Sequence, residues 1–251
     1  MGIVKGGLTA PEKRWLEMAF DVLTREYLEA GADIARVPHE GSAATRNYYR
    51  RFELVQERVR DGESKDNGDT FACRKGCSYC CHHRVSAPAQ EVLTLAERIE
   101  SLPASRRAAV IENVSRNAQR VESMDAATAL RTPLPCALLG ENNACSVYDD
   151  RPSKCREYHS LSLSACETSF SRPDDLSSKV PLSTPLLVAS TAHALGFRKV
   201  LEERGVDTMH YELHTALREA LSDPQACGER LARGEPAFVH ATKYGDQLHR
   251  P

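Results

Sequence analysis

"CRKGCSYCCHH", residues 73–83, sets four cysteines within nine positions and two histidines directly behind them. A second stretch, "PCALLGENNACSVYDDRPSKC", residues 135–155, carries Cys136, Cys145 and Cys155, and Cys166 follows. Only Cys227 stands apart from these eight. Both groups lie among prolines, glycines and polar residues, where an apolar core is a poor explanation for so many cysteines. Packing as a small hydrophobe suits Cys227 instead.

The remaining choices are disulfides, reactive thiols or metal ligands. The N-terminus, "MGIVKGGLTAPEKRW", has no long apolar run of a secretory signal, and Gly6 stands where a myristoylation pattern needs Ser or Thr. The expectation is a cytoplasmic protein, in which disulfides rarely persist and clustered cysteines bind metal or do redox chemistry.

Spacing favours metal. Cys77-x2-Cys80 lets two thiolates reach one ion, and Gly76 permits the unusual turn that brings Cys73 near. Cys80 and Cys81 have Cα atoms ~3.8 Å apart and, in extended chain, opposite directions. They suit two neighbouring metals or separate corners of one cluster. Four thiolates around a divalent ion leave about two surplus negative charges. Arg74, Lys75 and Arg84 flank the first group, and Arg151, Lys154 and Arg156 the second. In "DDRPSKCREY" an Asp150 cap ahead of Pro152 would put Cys155 at a helix N-terminus and favour its thiolate.

The histidines are open. His82 and His83 could be ligands, donors to cluster sulfur or loop residues, and His159 a supplementary ligand. His210 and His214 in "HYELH" have the i, i+4 spacing of one helix face, which suits either metal or solvent.

The surroundings read as helix. Trp15, Met18, Ala19, Val22 and Leu23, then Tyr48, Tyr49, Phe52, Val55 and Val59, recur at helical spacing. The run Arg60–Thr70 has turn composition. A helix is expected after Ser86-Ala87-Pro88. Val110, Val114, Ala118 and Val121 form the stripe of the next, and two more are expected over Thr184–Arg204 and about Asp207–Leu221. Cys145–Tyr148 is the only strand candidate. The expected fold is mainly α, with irregular cysteine-bearing loops around a metal centre packed by helices. Its segments are 1–62 (helical), 71–167 (cysteine cluster) and 180–251 (helical, with a polar tail), together one compact domain.

Net charge is −2 over 251 residues, which makes no general case for nucleic acid or an anionic membrane. Val180–Phe197 is interrupted by Ser, Thr, Pro and His and reads as a buried helix, not a membrane span.

The two stretches together resemble the CxxxCxxCC family of bacterial cysteine-cluster proteins, described as zinc- or iron-chelating. The matching residues are Cys73, Cys77, Cys80, Cys81, Pro135, Cys136, Leu139, Gly140, Cys145, Tyr148, Asp149, Arg151, Pro152, Cys155 and Arg156. Ala137 and Leu138 replace the family's usual Pro-Phe. The resemblance spans roughly Phe71–Cys166 and implies chelation by Cys73, Cys77, Cys80, Cys81, Cys136, Cys145, Cys155 and Cys166. A related class, the flagellin lysine methylases, is associated with an iron–sulfur centre, so iron–sulfur is the first expectation and zinc the alternative. No glycine-rich strand–turn–helix supports carrying over methyl transfer. A role in redox, metal handling or assembly is implied, with metal ions and an unidentified protein as partners. The alternatives are an enzyme with an open coordination position and a purely structural zinc protein. No nucleophile–base pair identifies a catalytic residue.

Overall fold

The computed structural model describes residues 8–36, 41–67, 70–140 and 142–243. The N-terminal leader reading and the end of the polar tail lie outside them. Among the described residues there are ten α-helices and one two-stranded sheet, a mainly α fold.

Helix α1, Ala10–Arg36, opens with a reciprocal cap: the Thr9 N–H donates to Glu12 Oε2 (2.7 Å), and the Glu12 N–H to Thr9 Oγ1 (3.4 Å). It packs along α8, Thr184–Glu203, and both contact α2, Ser42–Asn67. Gly196 lets α1 and α8 close: a Cβ there would lie 2.6 Å from the Leu23 carbonyl oxygen. Tyr48 of α2 stacks on Phe197 of α8 at 4.3 Å. Beneath it Glu26 accepts two 2.7 Å hydrogen bonds from Arg51, and His193 Nε2 lies 2.9 Å from the same carboxylate.

A second group comprises α3 (Ala89–Glu100), α4 (Ala104–Glu122), α9 (Leu213–Ser222) and α10 (Pro224–Ala232). Helix α9 rests on both α3 and α4. The stripe Val110, Val114, Ala118, Val121 is buried as its period requires. Phe52, Ile99, Phe197, Leu217 and Leu231 belong to one continuous apolar cluster, which joins the two groups. The short helices α5 (Ala126–Arg131), α6 (Ser153–Glu157) and α7 (Leu163–Ser171) belong to the cysteine-bearing part. No helix among the described residues is long and apolar enough to cross a membrane.

Four expectations are corrected. Arg60–Asn67 continues α2 instead of turning, because its Glu, Lys and Asp residues suit a solvated helix and no proline stops it. Cys145–Tyr148 is not a strand: Cys145 makes an isolated bridge with Leu139, and Tyr148 begins a 3₁₀ turn. The helix expected from Asp207 begins only at Leu213. Before it, His210–Glu212 forms β2, antiparallel to β1, Ser86–Pro88. His210 therefore sits on a strand and His214 on a helix, so they share no helix face.

Candidate metal centre

The two cysteine groups meet. The Cys136 N–H donates to the Cys81 carbonyl (2.8 Å) and the Leu134 N–H to the His82 carbonyl (2.9 Å), so residues 134–136 lie along the chain at 81–82. The first group is also tied to the segment behind Cys155: Ala72 N–H donates to Ser160 O (2.8 Å), and Ser160 N–H to Cys73 Sγ (3.1 Å). All nine cysteines are free thiols. A cavity of about 710 Å³ is lined by every cysteine of the two groups except Cys166.

Local structure explains the placement. Gly76 has φ +90°, the left-handed turn its position between Cys73 and Cys77 demands. Cys80 and Cys81 lie in a 3₁₀ turn, Tyr79–His82, and not in extended chain. Successive side chains there diverge by about a third of a turn, so the pair still faces different neighbours. Cys166 projects from α7, which packs on this turn through Phe170, 5.7 Å from Tyr79 and 4.7 Å from His82.

The thiols influence one another across the cavity. Burial raises Cys73, and Cys80, Cys77 and Cys166 add to the rise. Cys166 is likewise raised by burial, with Cys77 and Cys80 contributing. On the other side burial lifts Cys145 to about 11, aided by Cys136. Cys155 is raised well above the usual thiol range, by burial first and then by Cys136, Cys145 and Cys80. Cys80 is pushed up chiefly by its hydrogen bond with Cys81. Burial thus opposes the thiolate expected at Cys155. Helix α6 is one short turn, Asp150 does not cap it, and burial outweighs its dipole. Its Ser153 N–H is instead capped by buried Glu91 of α3 (2.8 Å).

Among the described residues no three Cys, His, Asp or Glu side chains converge closely enough to hold an ion. The donor set nevertheless fits one: soft sulfurs in abundance, a cavity, and cations at its wall. Arg151 is felt at Cys80, Cys145 and Cys155 and favours their thiolates. Arg156 is a framework residue: fully buried, it stacks on Tyr49 (4.3 Å), donates to Arg151 O (2.9 Å) and pairs with Glu53.

His82 and His83 line the cavity, half-buried, with His82 Nδ1 3.1 Å from Ser78 O. Burial and then His82 lower the His83 pKa. His159 is buried at the cavity wall, and neither ring nitrogen has a partner in hydrogen-bonding geometry. Burial, then Arg60 and Arg151, depress it to about 4, so it is neutral.

His214 is buried rather than on the surface. The Ala137 N–H donates to its Nε2 (3.2 Å) and its Nδ1 faces Glu212 Oε1 (3.0 Å), which suits the neutral ring. A thiolate at Cys136 works the other way. Burial opposes the charge, but Cys136 and Glu212 outweigh it and lift His214 to about 10. Asn117 of α4 completes this clamp by donating to Pro135 O (2.8 Å). A polar residue on the apolar stripe of α4 was the sequence signal for it. Glu91 gave no comparable signal. Cys227 is fully buried in α10 and away from the cavity; burial raises it to about 11.

A mainly helical protein that lines one basic cavity with seven free thiols, with Cys166 close by, has the build of a cysteine-cluster protein. Residues 72–175 match the family model CxxCxxCC, described as "Putative zinc- or iron-chelating domain". No curated protein and no solved structure matches the chain.

Proposed function

We propose that Cys73, Cys77, Cys80, Cys81, Cys136, Cys145, Cys155 and Cys166 chelate metal as thiolates, and that the protein acts in redox chemistry, metal handling or assembly. The observation that carries this is the pairing of residues 134–136 with 81–82, which joins both cysteine groups at one cavity. Cys73, Cys77, Cys80 and Cys166 influence one another, as do Cys136, Cys145 and Cys155, and Cys80 acts on both sides, with Cys81 hydrogen-bonded to it.

When bound, iron–sulfur would supply one-electron transfer. The chain's own part is to release thiol protons, hold the sulfurs by backbone N–H groups such as that of Ser160, and balance their charge with Arg151. Zinc is the second reading, because eight thiols suit two closed tetrahedral sites. Anaerobic purification with elemental analysis and visible absorption tests both. Iron with acid-labile sulfide and a sulfur-to-iron charge-transfer band supports the first. Colourless protein holding zinc supports the second, and metal-free protein that binds neither on reconstitution overturns chelation.

A further inference from the structure

We propose that the cavity beside the cysteines also binds a small oxyanion, a carboxylate or phosphate group, on Arg60, Arg151 and His159. The inference goes beyond chelation and does not require it. Among the described lining residues the cations are Arg60, Arg74, Arg84, Arg151, Lys154 and Arg172, while Asp175 is the only acid. Lys154 is engaged with Glu157 (2.8 Å). Arg60 and Arg151 make no ion pair among the described residues, and the Nε of each is buried without a partner. Neither nitrogen of His159 has a partner in full hydrogen-bonding geometry, although the Arg156 backbone lies near enough to act on the ring, and this residue is more than nine-tenths buried.

Unpartnered buried donors cost free energy that an acceptor of opposite charge recovers. Here they are also held in place. The Arg60 guanidinium lies 5.7 Å from the Phe71 ring centroid and that of Arg151 3.7 Å from Tyr148. Phe71 in turn meets His159 edge-on at 6.4 Å. A guanidinium held over an aromatic face keeps its N–H groups for an acceptor in the ring's plane or beyond it, the use an oxyanion makes of arginine.

The cysteines do not account for both cations. Arg151 acts on Cys80, Cys145 and Cys155, whereas Arg60 acts, with Arg151, on His159. Arg60 and Arg151 both act on His159, and a cavity of about 710 Å³ is within the range that holds a small organic ligand.

The test is calorimetric titration of inorganic phosphate and, separately, malonate into the full chain as purified anaerobically with its metal, and again after chelator treatment. At least one anion should bind both forms, and comparison of the two probes tells phosphate from carboxylate. Arg60→Gln should weaken binding about tenfold or more, Arg60→Lys should restore part of it, and metal content and Tm should stay at wild-type values. Binding in a protein that takes up neither iron nor zinc on reconstitution would uphold this proposal and overturn chelation. Absence of binding by both probes overturns it, as does equal binding by Arg60→Gln. Binding only to the stripped form also overturns it, since the cations would then serve the metal–thiolate centre alone.

Discussion

Two buried charge clusters in this molecule are built in opposite ways. Between α1, α2 and α8, Glu26 accepts two hydrogen bonds from Arg51, whose third goes to Asp33, so these charges are paired inside the protein. At the cavity, the buried Nε atoms of Arg60 and Arg151 have no partner, beside thiols whose pKa burial raises. The lesson is a division of labour: a helical frame whose acid–base pairs close within the chain, and a cysteine region whose cations are left for the ligands proposed above.

The largest effect should come from the adjacent pair. Cys80→Ser and Cys81→Ser should each lose bound metal, since structural metal binding is worth on the order of 10 kcal/mol of folding free energy. Far-UV circular dichroism should keep most of its helical signal, because α1, α2 and α8 do not depend on the sulfurs. Collapse of that signal in either variant would break the comparison. The complementary blow is Gly196→Leu, which drives a side chain into the Leu23 carbonyl. It should cost about 3 kcal/mol and lower Tm by roughly 6–12 °C, with metal per folded molecule unchanged.

Glu91 couples the two regions through its cap on Ser153. Burial raises its pKa to about 7, with the Ser153 bonds opposing. A raised carboxyl holds its proton more tightly folded than unfolded. Its contribution to stability is therefore full below pH ~4.5 and is lost as pH climbs through about 7. Glu91→Gln should remove roughly 3 kcal/mol of that pH-dependent stability, read as Tm against pH between 4 and 8. An unchanged slope would place the titration elsewhere. Smallest of all, Cys227→Ser should cost about 1 kcal/mol for a polar group at a buried site and leave metal content untouched. Loss of a metal equivalent would pull Cys227 into the centre.

The frame was legible because a 3.6-residue period needs only local sequence. The stripes through Tyr48, Phe52, Val110 and Val114 name their own buried faces. The eight cysteines were legible as a set because their concentration outruns any packing role. What escaped was set by distant partners. "HYELH" mimics a helical pair, yet His210 pairs with Pro88 across a sheet and His214 reaches the Ala137 N–H. Cys155 carries the local marks of an activated thiol, but its burial comes from elements packed around it. Arg156 read as a flanking cation and proved to be a strut against Tyr49 and Glu53. The fold and the ligand candidates are thus written locally, and the polar supports only in three dimensions.

The clamp of His214 and Glu212 on the Cys136 segment has a consequence in the order of synthesis. Residues 72–175, the family segment, leave the ribosome before α8 and α9 exist. For that interval the nascent chain presents reduced sulfurs with neither the backbone bond from Leu213 to Val85 nor the one from Ala137 to His214 in place. An excised 72–175 fragment would lack both bonds, because Leu213 and His214 lie beyond its end.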